Sequence, residues 1–264
     1  MKNARYTPKH ALLKQVVRYH AFQTIGGTGI AEQWMTLFPN GTNNLCITLD
    51  SALVTKGAGR LQNHVATSCT RPVVFNRSDA IEMIGVQFEP YGFHLLTGLA
   101  MKEHKNNFFH LDDFFSAATL QTLYQQLHGA EDDGTKVDVL EQFILQQLSF
   151  RNLDRRILFA IHQIQRNPQL QLDQLVNHLN LSARRLRDLF ALHVGISPKY
   201  FLRLCRFNHA AHRVSDCTKS LTEVAIDSGY FDQAHFIKEF REFGAVSPNR
   251  FRRFAEKSAE FYNS

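Results

Sequence analysis

The pattern of apolar and polar positions changes at about residue 90. Before that point, apolar residues occur in short runs separated by Gly, Pro and Asn, which is typical of β-strands joined by turns. The clearest runs are residues 34–38, 45–49 and 84–88. Pro39, Asn40 and Gly41 lie between the first two runs and predict a hairpin turn. We therefore expect a β-rich N-terminal domain.

After Pro90 the apolar positions recur every three or four residues, which predicts helices. Helical stretches are predicted from Phe93 onward, over 111–127 and over 137–150, with an exposed turn at 129–134. The last stretch carries an apolar stripe formed by Leu140, Phe143, Ile144 and Leu148. This stripe either covers the β-rich domain or pairs with a second copy of the chain. The first alternative is favoured, because most amphipathic helices cover their own core.

The last hundred residues contain one pattern twice, fifty positions apart. The first copy has Leu186, Phe190, Ile196, Ser197, Pro198, Phe201 and Arg203, and the second has Phe236, Phe240, Val246, Ser247, Pro248, Phe251 and Arg253. An internal repeat indicates one supersecondary unit used twice. Each unit is predicted to hold a short helix, a tight turn and a second helix, followed by a Ser-Pro helix start. This is the layout of a helix-turn-helix.

The chain is therefore predicted to have an α+β fold with two domains. Residues 1–150 would form the β-rich domain with a helical extension, and residues 155–258 an all-α tandem helix-turn-helix domain. Residues 151–154 form the expected boundary. A continuous helix from Pro198 to about Ser215 would join the two units, with a length of roughly 25 Å. Such a spacer is suited to placing two helices about one DNA turn, roughly 34 Å, apart.

The second helix of each unit has a polar outward face. Ser182 and Asp232 are the predicted N-caps. Because the N-terminal part of such a helix contacts base edges, the exposed side chains of its first turns are candidate DNA-binding residues. In the first unit these are Arg184, Arg185, Arg187 and Asp188, and in the second they are Gln233, Ala234, His235 and Lys238. Gly229 lies where the second unit must turn sharply.

Charge is divided unevenly between the predicted domains. The chain has a net charge of +6, but residues 151–264 hold 18 Lys and Arg against 11 Asp and Glu, whereas residues 1–150 hold 12 against 13. A basic excess confined to the repeat half indicates a polyanionic partner for that half. The four cysteines are widely separated, and the sequence lacks a secretory leader and a membrane-spanning apolar run, so we expect a cytoplasmic protein without disulfides.

The repeat half resembles the AraC-type transcriptional regulator family. The resemblance covers roughly residues 155–255. Its motif residues here are Ala225, Ile226, Asp227, Ser228, Gly229, Phe236, Lys238, Phe240, Arg241, Gly244, Ser247, Pro248 and Arg252. The resemblance implies double-stranded DNA, contacted at an asymmetric site in the major groove, and RNA polymerase as partners, and an activator as one possible role. Lys238 stands where the family commonly has Arg, and Asp188 where it is often basic, so base recognition at these positions is expected to differ.

The N-terminal half resembles the sensory domain of some family members through residues 38–41 and 87–93. Such domains are often cupin-like barrels with a helical extension that binds a small-molecule effector, forms a homodimer, or does both. Trp34, Phe38 and Phe88 are candidate effector-pocket residues, although aromatic side chains more often fill a core.

Two other classes of protein are alternatives. One is a regulator whose N-terminal domain only self-associates or binds a protein partner. The other is an enzyme that uses the DNA-binding domain for targeting, which would require a catalytic or metal-binding set. The histidines of the β-rich half, His10, His20, His64 and His94, lack metal-ligand spacing. We therefore expect no catalytic residue, metal or cofactor.

Overall fold

The computed structural model describes residues 3–25, 34–48, 52–56, 59–76, 81–148, 154–215 and 218–257. Within these ranges, strands dominate the N-terminal part. They are β1 (Asn3–Tyr6), β2 (Val17–Ile25), β3 (Trp34–Leu37), β4 (Asn44–Thr48), β5 (Leu53–Thr55), β6 (Gly59–Leu61), β7 (His64–Ala66), β8 (Val73–Asn76), β9 (Ile81–Phe88) and β10 (Phe108–His110).

The strands form two antiparallel sheets. A six-stranded sheet has the order β1-β2-β9-β4-β7-β10, and a four-stranded sheet has the order β3-β8-β5-β6. The long central pairing of β2 with β9 aligns His20 with Val86 and Phe22 with Ile84. The β-rich character of this half is therefore confirmed, and a cupin-like barrel shape stays a prediction.

One face of the six-stranded sheet packs against three helices, α1 (Gly92–Thr97), α2 (Ala117–Gly129) and α3 (Asp133–Gln147). The sheet contributes alternate residues to this core, for example Ile84, Val86 and Phe88 of β9, because successive side chains of a strand point to opposite faces. The predicted apolar stripe of α3 belongs to the same core, where Leu140, Phe143 and Ile144 are buried and Leu148 is partly buried. The favoured alternative, that this helix covers its own domain, is confirmed.

A buried carboxylate ties α3 to the start of the chain. Glu141 accepts hydrogen bonds from the backbone N–H groups of Lys9 (2.7 Å) and His10 (3.0 Å). Its side chain also lies 3.4 Å from Nε2 of the buried His20 on β2. Burial lowers the pKa of His20, and the Glu141 carboxylate acts in the opposite direction. These contacts connect the helical extension with both the N-terminal segment and the central sheet.

The hairpin predicted at Pro39-Asn40-Gly41 is wrong. β3 pairs with β8, whereas β4 pairs with β7 and β9, so the segment passes from one sheet to the other. Gly41 has a φ of +72°, and a Cβ there would lie 2.9 Å from the ring of Phe201. The glycine therefore serves a close approach to the helical domain and not a chain reversal between paired strands.

The described C-terminal residues form helices joined by short turns, without strands. Its helices are α4 (Arg155–Arg166), α5 (Leu172–His178), α6 (Ala183–His193), α7 (Pro198–Val214), α8 (Leu221–Asp227), α9 (Gln233–Gly244) and α10 (Pro248–Lys257). We call α5 and α6 the first unit, and α8 and α9 the second unit. The predicted all-α tandem arrangement is confirmed. Residues 149–153, where the domain boundary is predicted, lie outside the described residues.

The helical domain has its own core, which the rings of α7, α9 and α10 dominate. Phe207 packs on Phe240 with ring centroids 5.1 Å apart and on Phe243 at 5.4 Å. Phe240 in turn meets Phe251 edge to face at 5.0 Å. Among the described residues, no helix is both long enough and apolar enough to cross a membrane.

Candidate nucleic-acid interface

The first predicted base-contacting helix, α6, begins at the expected cap. The Ser182 hydroxyl accepts a hydrogen bond from the backbone N–H of Arg185 at 3.1 Å. Leu186, Leu189 and Phe190 are buried and hold the helix on the domain. The four predicted contact residues, Arg184, Arg185, Arg187 and Asp188, are all exposed. The structure therefore brings these four side chains together on the solvent face of α6.

Arg185 also acts electrostatically on titratable groups near the predicted domain boundary. Its charge acts on Asp154, the N-cap of α4, and on His193 at the end of α6. The hydrogen bond from Arg156 is the main cause that lowers the pKa of Asp154 to about 2, and Arg185 adds to that effect. Arg185 thus acts on one group outside its own unit, the carboxylate of Asp154.

The second predicted base-contacting helix, α9, is capped by Asp232. The carboxylate accepts a hydrogen bond from the backbone N–H of His235 at 2.7 Å. Gln233, Ala234 and Lys238 are exposed. His235 is partly covered, because its ring lies 5.3 Å from that of Tyr230 and its Nε2 lies 3.6 Å from a carboxylate oxygen of Glu239.

Helix α7 joins the two units and is fixed to the second by an arginine. Arg203 donates from Nε to Glu239 at 2.5 Å and from Nη2 to Glu242 at 2.6 Å, and both carboxylates belong to α9. A second arginine of α7, Arg213, donates to the carbonyl of Asp227 at the end of α8 at 3.0 Å. These bonds hold the second unit in a defined orientation on the connecting helix.

The three predicted effector-pocket residues lie in different surroundings. Phe88 is fully buried in the core under α1 to α3 and packs on Phe93. Phe38 instead packs on the helical domain, with ring centroids 5.3 Å from Phe251 and 6.3 Å from Phe207. Trp34 lies in β3, and its side chain is outside the described part of the chain. Phe38 and Phe88 therefore belong to two separate cores.

Phe38 is part of a larger contact between the β-rich and helical domains. Ser68 Oγ donates to the carbonyl of Val194 at 2.7 Å, directly after α6. At the start of α7, Tyr200 donates from its hydroxyl to the carbonyl of Thr70 at 2.9 Å. Further along α7, Asn208 donates to the carbonyl of Pro39 at 3.2 Å. The β-rich domain thus contacts both the segment between α6 and α7 and the helix α7 itself.

The same contact contains a close backbone approach. Gly195 follows α6 with a φ of +87°, and its N–H donates to the carbonyl of Phe190 at 2.9 Å. A Cβ at this position would lie 2.7 Å from the carbonyl oxygen of Met101. The positive φ of Gly195 suits the residue that follows a helix end, and the absence of a side chain also admits the β-rich domain next to that end.

Neither the three cysteines nor the titratable clusters within the described residues form a reactive site. Burial raises the pKa of Cys46 and Cys205 to about 12 and that of Cys69 to about 11, which disfavours the nucleophilic thiolate. Cys217 lies outside the described residues. Among the described residues, no group of three or more His, Cys, Asp or Glu side chains is arranged to hold a metal ion.

Sequence reasoning missed the domain contact. Its residues come from loops between short strands, and their partners are more than a hundred positions away along the chain. The one available signal was the 38–41 segment, in which an aromatic residue precedes Pro, Asn and Gly. That signal was attributed to a hairpin, since turn residues look alike whether they reverse a chain or admit a neighbour.

Comparisons with known proteins find a family model that matches part of each half of the chain. Residues 175–253 match the model of a helix-turn-helix domain, and residues 4–110 match that of a domain of unknown function (DUF6597). The chain is 29% identical over 152 residues, 51% of each chain, to an uncharacterized HTH-type transcriptional regulator of Haemophilus influenzae. It is 30% identical over 106 residues, 39% of this chain and 31% of the other, to the XylDLEGF operon transcriptional activator 1 of Pseudomonas putida. The matches span about half or less of these curated relatives.

Solved structures that are similar to parts of this chain include the C-terminal domain of AraT, a response regulator from Geobacillus stearothermophilus, at 28% identity and a TM-score of 0.37, covering 39% of this chain and 88% of that one. ToxT from Vibrio cholerae is 12% identical with a TM-score of 0.48, covering 88% of this chain and 98% of that one. The chain carries an AraC-type helix-turn-helix domain and is homologous to regulators of the AraC family.

Proposed function

We propose that this protein is a sequence-specific DNA-binding transcription regulator in which one protomer contacts two successive major-groove segments. The observation that carries the proposal is the pair of capped helices, α6 and α9, each of which exposes polar side chains in its first turns. The net basic charge of this half suits a phosphate backbone. The curated relatives named above are transcriptional regulators rather than enzymes. RNA polymerase and a cytoplasmic location remain parts of the proposal.

The two units are proposed to recognise different sequences. Arg184 and Arg187 of α6 have the chemistry for guanine N7 and O6, whereas Gln233 of α9 suits adenine N6 and N7. Because α7 is a continuous helix of 17 residues, it sets the separation of the two contacts. The preferred site of a single protomer is therefore expected to be asymmetric, with the strongest guanine preference under the first unit.

We further propose that an effector in the β-rich domain controls DNA binding through the domain contact. Ser68, Thr70 and Met101 lie against the end of α6 or the start of α7, so a shift of their loops alters how α6 is presented. An effector that prefers the native protein raises its thermal stability, which a compound library detects.

A protein contact in place of an effector is favoured by one surface feature. A shallow depression of ≈ 700 Å³ follows one side of α2 and is lined by Asp112, Ala117, Leu120, Gln121, Tyr124, Gln125 and His128. None of the predicted pocket residues lines it. Sedimentation of the purified chain over a range of concentrations separates the two ideas, because self-association depends on protein concentration and effector control does not.

Selection of bound genomic fragments, followed by binding measurements with single variants, tests the proposed function. Arg187→Ala should reduce the preference for particular bases at the segment under the first unit by about 1–3 kcal/mol. Lys238→Ala should reduce the base preference at the segment under the second unit. Arg60→Ala, at an exposed position of β6 in the other domain, is the matched arginine control. If neither Arg187→Ala nor Lys238→Ala altered the sequence preference of the selected fragments, the assignment of α6 and α9 would be wrong.

A further inference from the structure

The turn of the second unit contains one residue more than the turn of the first. In the first unit the left-handed residue Asn180, with a φ of +50°, is followed by Leu181 and then by the N-cap of α6. In the second unit the left-handed Gly229, with a φ of +80°, is followed by two residues, Tyr230 and Phe231, before the N-cap of α9.

Backbone hydrogen bonds identify the extra residue as Phe231. The N–H of Leu181 donates to the carbonyl five residues earlier at 3.1 Å, and the N–H of Tyr230 makes the same bond at 3.0 Å. Leu181 and Tyr230 are thus equivalent, and both pack on the core of the helical domain. Tyr230 contacts Phe236 with ring centroids 5.1 Å apart. The internal position of the turn is therefore already filled, and Phe231 has no equivalent in the first unit.

Phe231 is left in solvent at the edge of the proposed DNA surface. It is 92% exposed, more than the other exposed large apolar residues among those described. It directly precedes Asp232, and the next two residues, Gln233 and Ala234, form the exposed first turn of α9. Since the N-terminal end of such a helix enters the major groove, a bulky side chain at this position enters with it.

We propose that Phe231 contacts the C5-methyl group of a thymine, in or beside an A·T pair contacted by Gln233. The proposal rests on the proposed function of α9. An uncharged phenyl ring cannot accept or donate a conventional hydrogen bond at a base edge or form an ion pair with a phosphate, so we expect it to gain affinity from an apolar group of the DNA. The thymine methyl is the apolar group that the major groove presents, and Phe is one of the side chains that contact it. Gln233 favours adenine, which places a thymine on the opposite strand.

The test uses a selected genomic fragment in which each thymine is replaced in turn by deoxyuridine, which removes only the methyl group. For the wild-type protein, we expect one position under the second unit at which the replacement lowers affinity about fourfold, as for one methyl group returned to water. Phe231→Ala should lower affinity for the thymine fragment by a similar factor and abolish the sensitivity at that position, so the two changes are not additive. Phe231→Leu should keep part of the sensitivity.

Ile226→Ala is the matched control, because Ile226 is also apolar and 65% exposed but lies on α8. It should leave affinity and the deoxyuridine profile unchanged. A uniform loss of affinity in Phe231→Ala with an intact deoxyuridine profile overturns the thymine contact in favour of a sugar-phosphate contact. Unchanged DNA affinity in Phe231→Ala also overturns the thymine contact. Absence of sequence preference in the wild-type protein is a separate result, which refutes the proposed function itself.

Discussion

The imidazole rings of His94 and His193 meet edge to face with centroids 4.4 Å apart. His94 belongs to α1 of the β-rich domain, and His193 is the last residue of α6. Both side chains are buried, and Nδ1 of His94 is hydrogen-bonded with the carbonyl of Leu99 at 2.7 Å. A pair of histidine rings thus lies in the contact between the β-rich domain and α6.

The buried His193 is expected to make the domain contact sensitive to acid. Burial, and then the proximity of His94, lower the pKa of His193 from 6.5 to about 4, with Arg185 acting in the same direction and Asp154 against it. The unfolded chain takes up this proton near pH 6.5 and the folded chain only near pH 4. The free energy of unfolding is therefore expected to fall as the pH is lowered through that window, and to keep its full value above it.

Titration of the histidine ring signals by nuclear magnetic resonance measures the pKa of His193 directly, and a His193 resonance that titrates near pH 6.5 would contradict the account.

His193→Asn should remove part of the shift in urea midpoint between pH 7 and pH 5. The pKa of His64 is also lowered to about 4, mainly by burial, so His64→Asn serves as a control in the other domain. The two variants should act additively, since distant sites usually do.

Gly195→Ala should destabilise the protein more than Gly59→Ala. Both glycines have positive φ values, +87° and +71°, so each substitution carries a backbone cost of about 1–2 kcal/mol. A Cβ at Gly59 would meet no atom within 4 Å, whereas at Gly195 it would lie 2.7 Å from the carbonyl oxygen of Met101. Urea denaturation of the two variants isolates the packing contribution. Equal losses of stability would show that the approach of Met101 to α6 is not tight.

Phe38→Ala should loosen the domain contact. Phe38 is partly buried against Phe207 and Phe251, so its removal is expected to cost about 2–3 kcal/mol, below the range for a fully buried Phe. Limited proteolysis should release the helical domain faster than it does from the wild type. Phe88→Ala removes a ring from the other core and is the control: it should lower thermal stability without selectively speeding the release of the helical domain. Unchanged cleavage in Phe38→Ala would contradict a role in docking.

Arg203→Met should destabilise the second unit by about 3 kcal/mol, because it leaves the Glu239 carboxylate buried without its arginine. Glu242→Gln removes the other half of the same network at a side chain that is 43% exposed, and should cost less than about 1 kcal/mol. Thermal unfolding compares the two variants. A loss in Glu242→Gln as large as that in Arg203→Met would mean that the burial of Glu239 does not decide the energetics.

Local signals predicted the helical domain well. The hydroxyls of Ser182 and Ser197 and the carboxylate of Asp232 accept the expected N-cap hydrogen bonds, and Gly229 has the positive φ that its turn requires. Each of these features depends on residues within four positions of one another. The repeat added the relation between the two units, because it made the same local signals occur twice.

For the β-rich domain, the sequence predicted the type of secondary structure but not the strand pairing. The apolar pattern did not predict strand β2. Its buried His20 lies against Glu141, more than a hundred residues away along the chain, and not against neighbours in sequence. The partner of β3 could not be predicted for the same reason, since strand pairing is a long-range choice. The docking of Phe38 on the helical core followed from neither composition nor spacing, because a lone aromatic residue does not indicate which core it joins.

Interference by removal of single bases from a selected fragment tests the central claim, that one protomer contacts two successive major-groove segments through α6 and α9. Loss of a base should weaken binding at two clusters separated by about 10 base pairs, one DNA turn, on the same face of the duplex. Arg187→Ala should abolish interference at one cluster and leave the other, whereas Lys238→Ala should weaken the binding that depends on the second cluster. A single cluster, or two clusters that both persist in Arg187→Ala, would contradict the account.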